Sequence, residues 1–213
     1  GKRGYPRIKP PFPAEKGLFG KPTLVNNVET LTHLPSIINK GAEWYKALGT
    51  ENSSGTKIFT TSGDVNKPGY FELELGVTLR ELIELSGGMK DNIPFKAALL
   101  GGAAGTFVDS SMLDEPMDFE NLQQKGATLG AGAVMIFNEN QNLHKILGSI
   151  LEFFKHESCG KCVPCRVGTS MLVNWHQQIN GDDQNNNNLI DRMLDQSRFM
   201  AETSLCFLGQ SPV

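Results

Sequence analysis

Lys57-Ile58-Phe59-Thr60-Thr61-Ser62-Gly63 is followed by Asn66-Lys67-Pro68-Gly69 and then by Tyr70-Phe71-Glu72-Leu73-Glu74-Leu75. The first run is rich in β-branched and aromatic residues and reads as a strand. The Pro-Gly pair is turn chemistry: proline presets φ and glycine accepts the conformations that reverse a chain. The third run alternates apolar and polar residues and reads as the returning strand. Downstream, Thr78 to Leu85 is a short helix, opened by a capping box of Thr78 and Glu81 and closed by Gly87-Gly88. Phe95 to Leu100 reads as a short apolar strand ending in Gly101-Gly102, and Ala133-Val134-Met135-Ile136-Phe137 as a final buried strand. The order strand, strand, helix, strand, loop, strand fits a small β-grasp-like α+β domain of about 80 residues.

Upstream of this hairpin the character changes. Residues 1–27 are rich in Pro and Gly and are expected to run extended over another surface. Between 28 and 48, Val28, Leu31, Leu34, Ile37 and Ile38, then Trp44, Tyr45 and Leu48, follow helical spacing, with Pro35 expected to interrupt it. Beyond the last strand the chain turns helical. Leu143, Ile146, Leu147, Ile150, Leu151 and Phe154 make one stripe, Met171, Leu172, Trp175 and Ile179 a second, and Leu189, Ile190, Met193 and Leu194 a third. An Asn-rich linker is expected from Gly181 to Asn188. Three amphipathic helices predict a small bundle.

Composition narrows the function classes. The chain has 213 residues, 39% hydrophobic and 20% charged, with a net charge of −3. That charge does not argue for a nucleic-acid or anionic membrane surface. No apolar run reaches the ~18 residues a spanning helix needs, so no direct membrane insertion is expected. The chain starts at Gly1 and stops seven residues after Cys206, and reads as a fragment. Of its four cysteines, three lie within seven residues, an arrangement of metal ligands in a reducing compartment rather than of a disulfide scaffold. A cytoplasmic protein is expected, at most peripheral on the cytoplasmic face of a membrane complex.

Cys159, Cys162 and Cys165 are spaced C-x2-C-x2-C, and Cys206 follows after 40 further residues. Short equal loops let successive thiolates wrap an inorganic cube, and a remote fourth closes it, so a [4Fe–4S] cluster is the first reading. Lys155, Lys161 and Arg166, and a helix starting near Cys165, would favour its reduced, more negative form. The alternative is a structural zinc in a β-grasp binding module without redox activity, although zinc sites usually pair their cysteines in two knuckles. His156, beside the loop, reads as a surface residue at a helix end.

Glu157-Ser158-Cys159-Gly160-Lys161-Cys162-Val163-Pro164-Cys165-Arg166-Val167-Gly168-Thr169 resembles the E-S-C-G-x-C-x-P-C-R-x-G signature of the NADH-binding flavoprotein subunit of respiratory complex I. The same subunit type occurs in NAD-linked hydrogenases and formate dehydrogenases. Ser204-Leu205-Cys206-Phe207-Leu208-Gly209, Lys9-Pro10-Pro11-Phe12-Pro13-Ala14, Val25-Asn26-Asn27-Val28-Glu29-Thr30-Leu31, Pro116-Met117-Asp118-Phe119 and Leu129-Gly130-Ala131-Gly132 fit the same pattern.

The resemblance implies electron transfer from NADH through FMN to a [4Fe–4S] cluster held by Cys159, Cys162, Cys165 and Cys206, and on to partner iron–sulfur subunits. A thioredoxin-like [2Fe–2S] subunit is among those partners. It implies that Asn26, Asn27 and Thr30 contact FMN, that Phe12 stacks near the NADH adenine, and that Lys9 lies close to the dinucleotide. It divides the chain into the end of a flavin domain (1–55), an SLBB-like β-grasp domain (56–139) and a cluster-bearing helical domain (140–213). No catalytic acid or base is expected, because the cofactors carry the chemistry. The family's Gly-rich flavin and NADH loop is not in this stretch, so the fragment alone is expected to be inactive. Read without the resemblance, Asn26-Asn27 equally suits the cap of the helix that follows, Phe12 suits packing, and Lys9 a solvated charge.

Overall fold

The structure is a computed structural model that describes residues 9–179 and 185–212. Those residues fall into two compact units, 9–141 and 142–212.

The first unit opens on two short helical turns, α1 (Pro13–Lys16) and a 3-10 turn at Leu18–Gly20, where an extended run was expected. Pro13 supplies the reason: its missing N–H and fixed φ suit the first position of a helix. Helix α2 (Val28–Lys40) continues through Pro35 instead of breaking there, and the interruption falls at Gly41, before α3 (Ala42–Lys46). The apolar stripe of α2 exists, but Val28, Leu31, Leu34 and Ile38 are all exposed within this unit.

The hairpin forms as expected: β1 (Thr56–Gly63) pairs antiparallel with β2 (Gly69–Glu74). Helix α4 (Leu79–Leu85) carries the complete capping box. Thr78 Oγ1 accepts from Glu81 N–H at 3.2 Å, and Thr78 N–H donates to Glu81 Oε2 at 2.8 Å. Next come β3 (Phe95–Leu100), β4 (Thr106–Val108), α5 (Phe119–Gln124) and β5 (Ala133–Asn138). The sheet order is β2-β1-β5-β3-β4, with β5 parallel to β1 and every other pair antiparallel. The last strand thus enters the centre, between the first and the third, as a β-grasp requires.

Strand β4 and helix α5 lie where only a loop was expected. Asp118 explains α5: its carboxylate caps the helix, accepting from Asn121 N–H at 2.8 Å, and Leu122 is then fully buried. The core on one face of the sheet gathers Phe59, Leu79, Leu82, Leu100, Met117, Leu122 and Ile136. Gly63 ends β1 at φ +87, and a β-carbon there would stand 2.1 Å from the Ile136 carbonyl oxygen. Only glycine fits that crossing of β1 and β5.

The second unit packs α6 (Leu143–Glu157), α7 (Val163–Gln178) and α8 (Asn185–Thr203), followed by the short α9 (Phe207–Gln210). Leu151, Leu172, Val173 and Met200 form its core, with Met193 against them. Gly168 lets α7 approach α8, since a β-carbon there would sit 2.3 Å from Met200 Sδ. Of the expected Asn-rich linker, residues 181–184 lie outside the described residues. Asn185 to Asn188 belong to the first turn of α8 rather than to a linker. Among the described residues, no helix is long and apolar enough to cross a membrane.

Candidate iron–sulfur and flavin sites

Local sequence builds the cysteine loop. Helix α6 ends at Glu157, and Ser158 turns the chain; its Oγ accepts from Gly160 N–H at 3.3 Å and lies 3.3 Å from Cys165 Sγ. Gly160 takes a positive φ of 76. The Arg166 guanidinium reaches back to the Gly160 carbonyl, and Arg166 N–H donates to Cys162 O at 3.1 Å. The loop is therefore pinned by the basic residue that ends it. Helix α7 starts at Val163, two residues earlier than expected, with Cys162 as its N-cap and Pro164 in its first turn. Cys165 is thereby inside the first turn and 5% exposed, with Thr169 Oγ1 donating to its carbonyl at 2.8 Å. Of the flanking cations, Lys155 pairs instead with Glu152 on α6 at 3.6 Å. His156 is exposed in the last turn of α6.

The remote cysteine comes back to this loop. Helix α9, just after Cys206, packs on the start of α7: a β-carbon at Gly209 would lie 2.9 Å from Cys165 Cβ. All four cysteines are free thiols, with Cys159 and Cys206 exposed. Burial raises the Cys165 thiol; Ser158 opposes this, and the charges of Cys162, Cys206 and Cys159 raise it further. At Cys162 burial also pushes upward. The backbone N–H groups of Leu205, Cys165 and Cys162 itself outweigh it, and hold the thiol below its ordinary value.

These residues fit a cationic, thiolate-bound group. Four thiolates gathered around a buried member repel one another unless iron neutralises them. The Ser204 hydroxyl is buried beside Gly209 with no hydrogen-bond partner, a donor left for a ligand sulfur. Among the described residues, no three His, Cys, Asp or Glu side chains stand at the spacing of a single ion. Ser158, Ser204 and Gly209 sit inside the sequence motifs with no role that spacing alone assigns. Their burial and contacts give them one.

The other predicted site residues lie in the first unit. Asn27 Oδ1 accepts from Thr30 N–H at 3.2 Å and caps α2, so the capping reading of Asn27 is realised. Asn26, Asn27 and Thr30 are all exposed at the start of that helix. Lys9 Nζ lies 5.9 Å from the centre of the Phe12 ring, which is 53% exposed. Between Asn27 and Thr30, Glu29 turns the other way. It accepts from Ile58 N–H at 2.8 Å and pairs with Lys57 Nζ at 3.0 Å, fastening α2 to β1. Sequence reading missed this clasp; the signal was Lys57 on the inward face of an otherwise apolar-inward strand.

An α+β chain with a β-grasp sheet and a four-cysteine helical unit is the class defined by these features. Residues 145–213 match the model of the NADH-ubiquinone oxidoreductase-F iron-sulfur binding region, and residues 58–102 match the SLBB domain. The chain is 41% identical, over its whole length, to the NADH-quinone oxidoreductase F subunit of Mycobacterium tuberculosis, of which it spans 48%. It is 39% identical to the NADP-reducing hydrogenase subunit HndC of Solidesulfovibrio fructosivorans, covering 99% of this chain and 43% of that one. A crystal structure of an NAD+-reducing [NiFe]-hydrogenase in the H2-reduced state superposes with a TM-score of 0.84 at 34% identity, over 99% of this chain and 36% of that chain. The chain belongs to the family of NADH-quinone oxidoreductase F subunits as a partial chain, spanning about half the length of the curated relatives it matches.

Proposed function

We propose that this chain forms part of the NADH-oxidising flavoprotein subunit of a multi-subunit NADH dehydrogenase or hydrogenase. In it, Cys159, Cys162, Cys165 and Cys206 ligate a [4Fe–4S] cluster, and Lys9, Phe12, Asn26, Asn27 and Thr30 contribute one wall of an NADH and FMN site. When bound, FMN supplies two-electron hydride acceptance and the cluster supplies one-electron transfer.

The protein's own task is to bind and orient. Cys165, buried in the first turn of α7, anchors the ligand set, while the backbone N–H groups around Cys162 favour the thiolate that a metal requires. Asn27 commits its Oδ1 to the α2 cap, so what it offers a flavin is its Nδ2 donors. Lys9 beside the Phe12 ring presents a cation and an aromatic face together, a combination suited to a dinucleotide. The electron partners of such a protein are iron–sulfur subunits, a thioredoxin-like [2Fe–2S] subunit among them, on the cytoplasmic side of the complex.

The observation that carries this reading is the packing of the Cys206-bearing segment on the start of α7, where Gly209 stands against the buried Cys165. The test is anaerobic reconstitution of the full-length protein. Broad visible absorption that bleaches with dithionite, with iron and sulfide in equal amounts, is expected. Colourless protein holding one zinc would overturn the reading.

A further inference from the structure

Among the described residues, the Ser204 hydroxyl is the one buried side-chain polar atom without a hydrogen-bond partner. The residue is 7% exposed, and its backbone is fully engaged. Its N–H donates to Met200 O at 2.9 Å, and its carbonyl accepts from Gln210 Nε2 at 3.0 Å. Leaving a hydroxyl buried and unpaired costs about 1–3 kcal/mol, so its persistence calls for an acceptor. Gly209 creates the niche: a β-carbon there would stand 2.5 Å from Ser204 Oγ and 2.9 Å from Cys165 Cβ. The hydroxyl is thus held against the first turn of α7, on the side that carries the cysteines. Cys165 has a hydroxyl neighbour of its own, Ser158, at 3.3 Å.

We propose that Ser204 is a positioning residue of the iron–sulfur site, whose hydroxyl donates to a metal-bound cysteine sulfur at the start of α7 and so raises the reduction potential of that site. The inference rests on the cluster reading above. A donor on a ligand sulfur withdraws electron density and favours the reduced, more negative form.

The experiment uses the full-length protein in its complex, with Ser204→Ala and Ser204→Thr. Iron and sulfide content comes first; wild type lacking either overturns the cluster reading and this proposal together. With the cluster assembled, an EPR-monitored redox titration of Ser204→Ala is expected to give a more negative midpoint. Resonance Raman is expected to show iron–thiolate stretches at higher frequency, a change that packing alone does not produce. Ser204→Thr, which keeps the hydroxyl, is expected to restore both. If Ser204→Ala loses the cluster and Ser204→Thr keeps it, the hydroxyl is needed and the proposal stands. Full cluster content with an unmoved midpoint overturns the role of Ser204 alone, as does equal loss of cluster in both variants.

Discussion

His144 and His176 stack face to face between α6 and α7, with ring centroids 3.9 Å apart and planes 16° from parallel. His176 Nε2 donates to the His144 carbonyl oxygen at 2.9 Å, which fixes the proton on Nε2 in the neutral ring. Gly148 leaves room for this ring, since a β-carbon there would meet His176 Cε1 at 2.7 Å.

The pair makes the helical unit sensitive to acid. Burial lowers the His176 pKa, the charge of His144 lowers it further, and the bond to the His144 carbonyl opposes both. The folded state therefore prefers the neutral ring. Its contribution is intact above the ordinary histidine value, declines as pH falls through that value, and levels off below the folded-state value. Thermal melts of the full-length protein are expected to lose stability from about pH 7 towards pH 5. His176→Gln, which keeps a donor, is expected to flatten that slope.

Asn27 caps α2, and under the proposed function it would also face the flavin. Asn27→Ala is expected to lower stability by about 1 kcal/mol through loss of the cap, and also to weaken flavin retention. Asn27→Ser keeps the cap oxygen and lacks the amide donors, so stability should return while flavin retention does not. Denaturant titration and flavin content of the purified full-length protein check the two arms. Full flavin content in Asn27→Ser would leave Asn27 a capping residue alone.

Glu29 fastens the N-terminal end of α2 to the sheet. Burial raises its carboxyl pKa, but the Ile58 N–H and Lys57 outweigh it, and the net direction is downward. Its contribution is present above the ordinary carboxylate value and is lost as pH falls through the folded-state value. Glu29→Gln is expected to cost about 1–2 kcal/mol, the scale of hydrogen bonds to a charged group. Chemical unfolding at neutral pH measures it, and the difference from wild type should shrink in acid.

The cysteines differ in environment, so their variants should differ in stability. Cys165→Ser and Cys206→Ser are both expected to abolish cluster content. The first should also destabilise the α7–α9 packing, because Cys165 is buried beside Gly209 while Cys206 is exposed. Iron content and thermal melting of the two variants, compared side by side, test this. Equal melting temperatures would argue against an anchoring role for Cys165.

How much of this was legible in the sequence depended on the length and chemistry of each signal. The β1–β2 hairpin and α4 announced themselves through period-2 alternation, a Pro-Gly turn and a capping box, all local. Strand β4 has three residues and α5 six, too few to show a period, and each is held by neighbours far away in the chain. Asn185 to Asn188 read as linker because Asn is a weak helix former, yet a first turn tolerates residues an interior would not. Pro35 broke nothing, because the Asn27 cap and the rest of the α2 hydrogen-bond ladder outweigh one lost N–H. At the cysteine loop, the candidate ligands were chosen from spacing. The burial of Ser204 and the niche of Gly209 appear only when α8, α9 and α7 meet.

The central position of β5 sets the timetable of synthesis. As the polypeptide leaves the ribosome, β1–β2 and β3–β4 emerge as two separate ribbons, each with an open edge. They are joined only when residues 133–138 slide between them, more than seventy positions after β1 began. Until then the nascent domain has no continuous sheet and relies on whatever shields its edges.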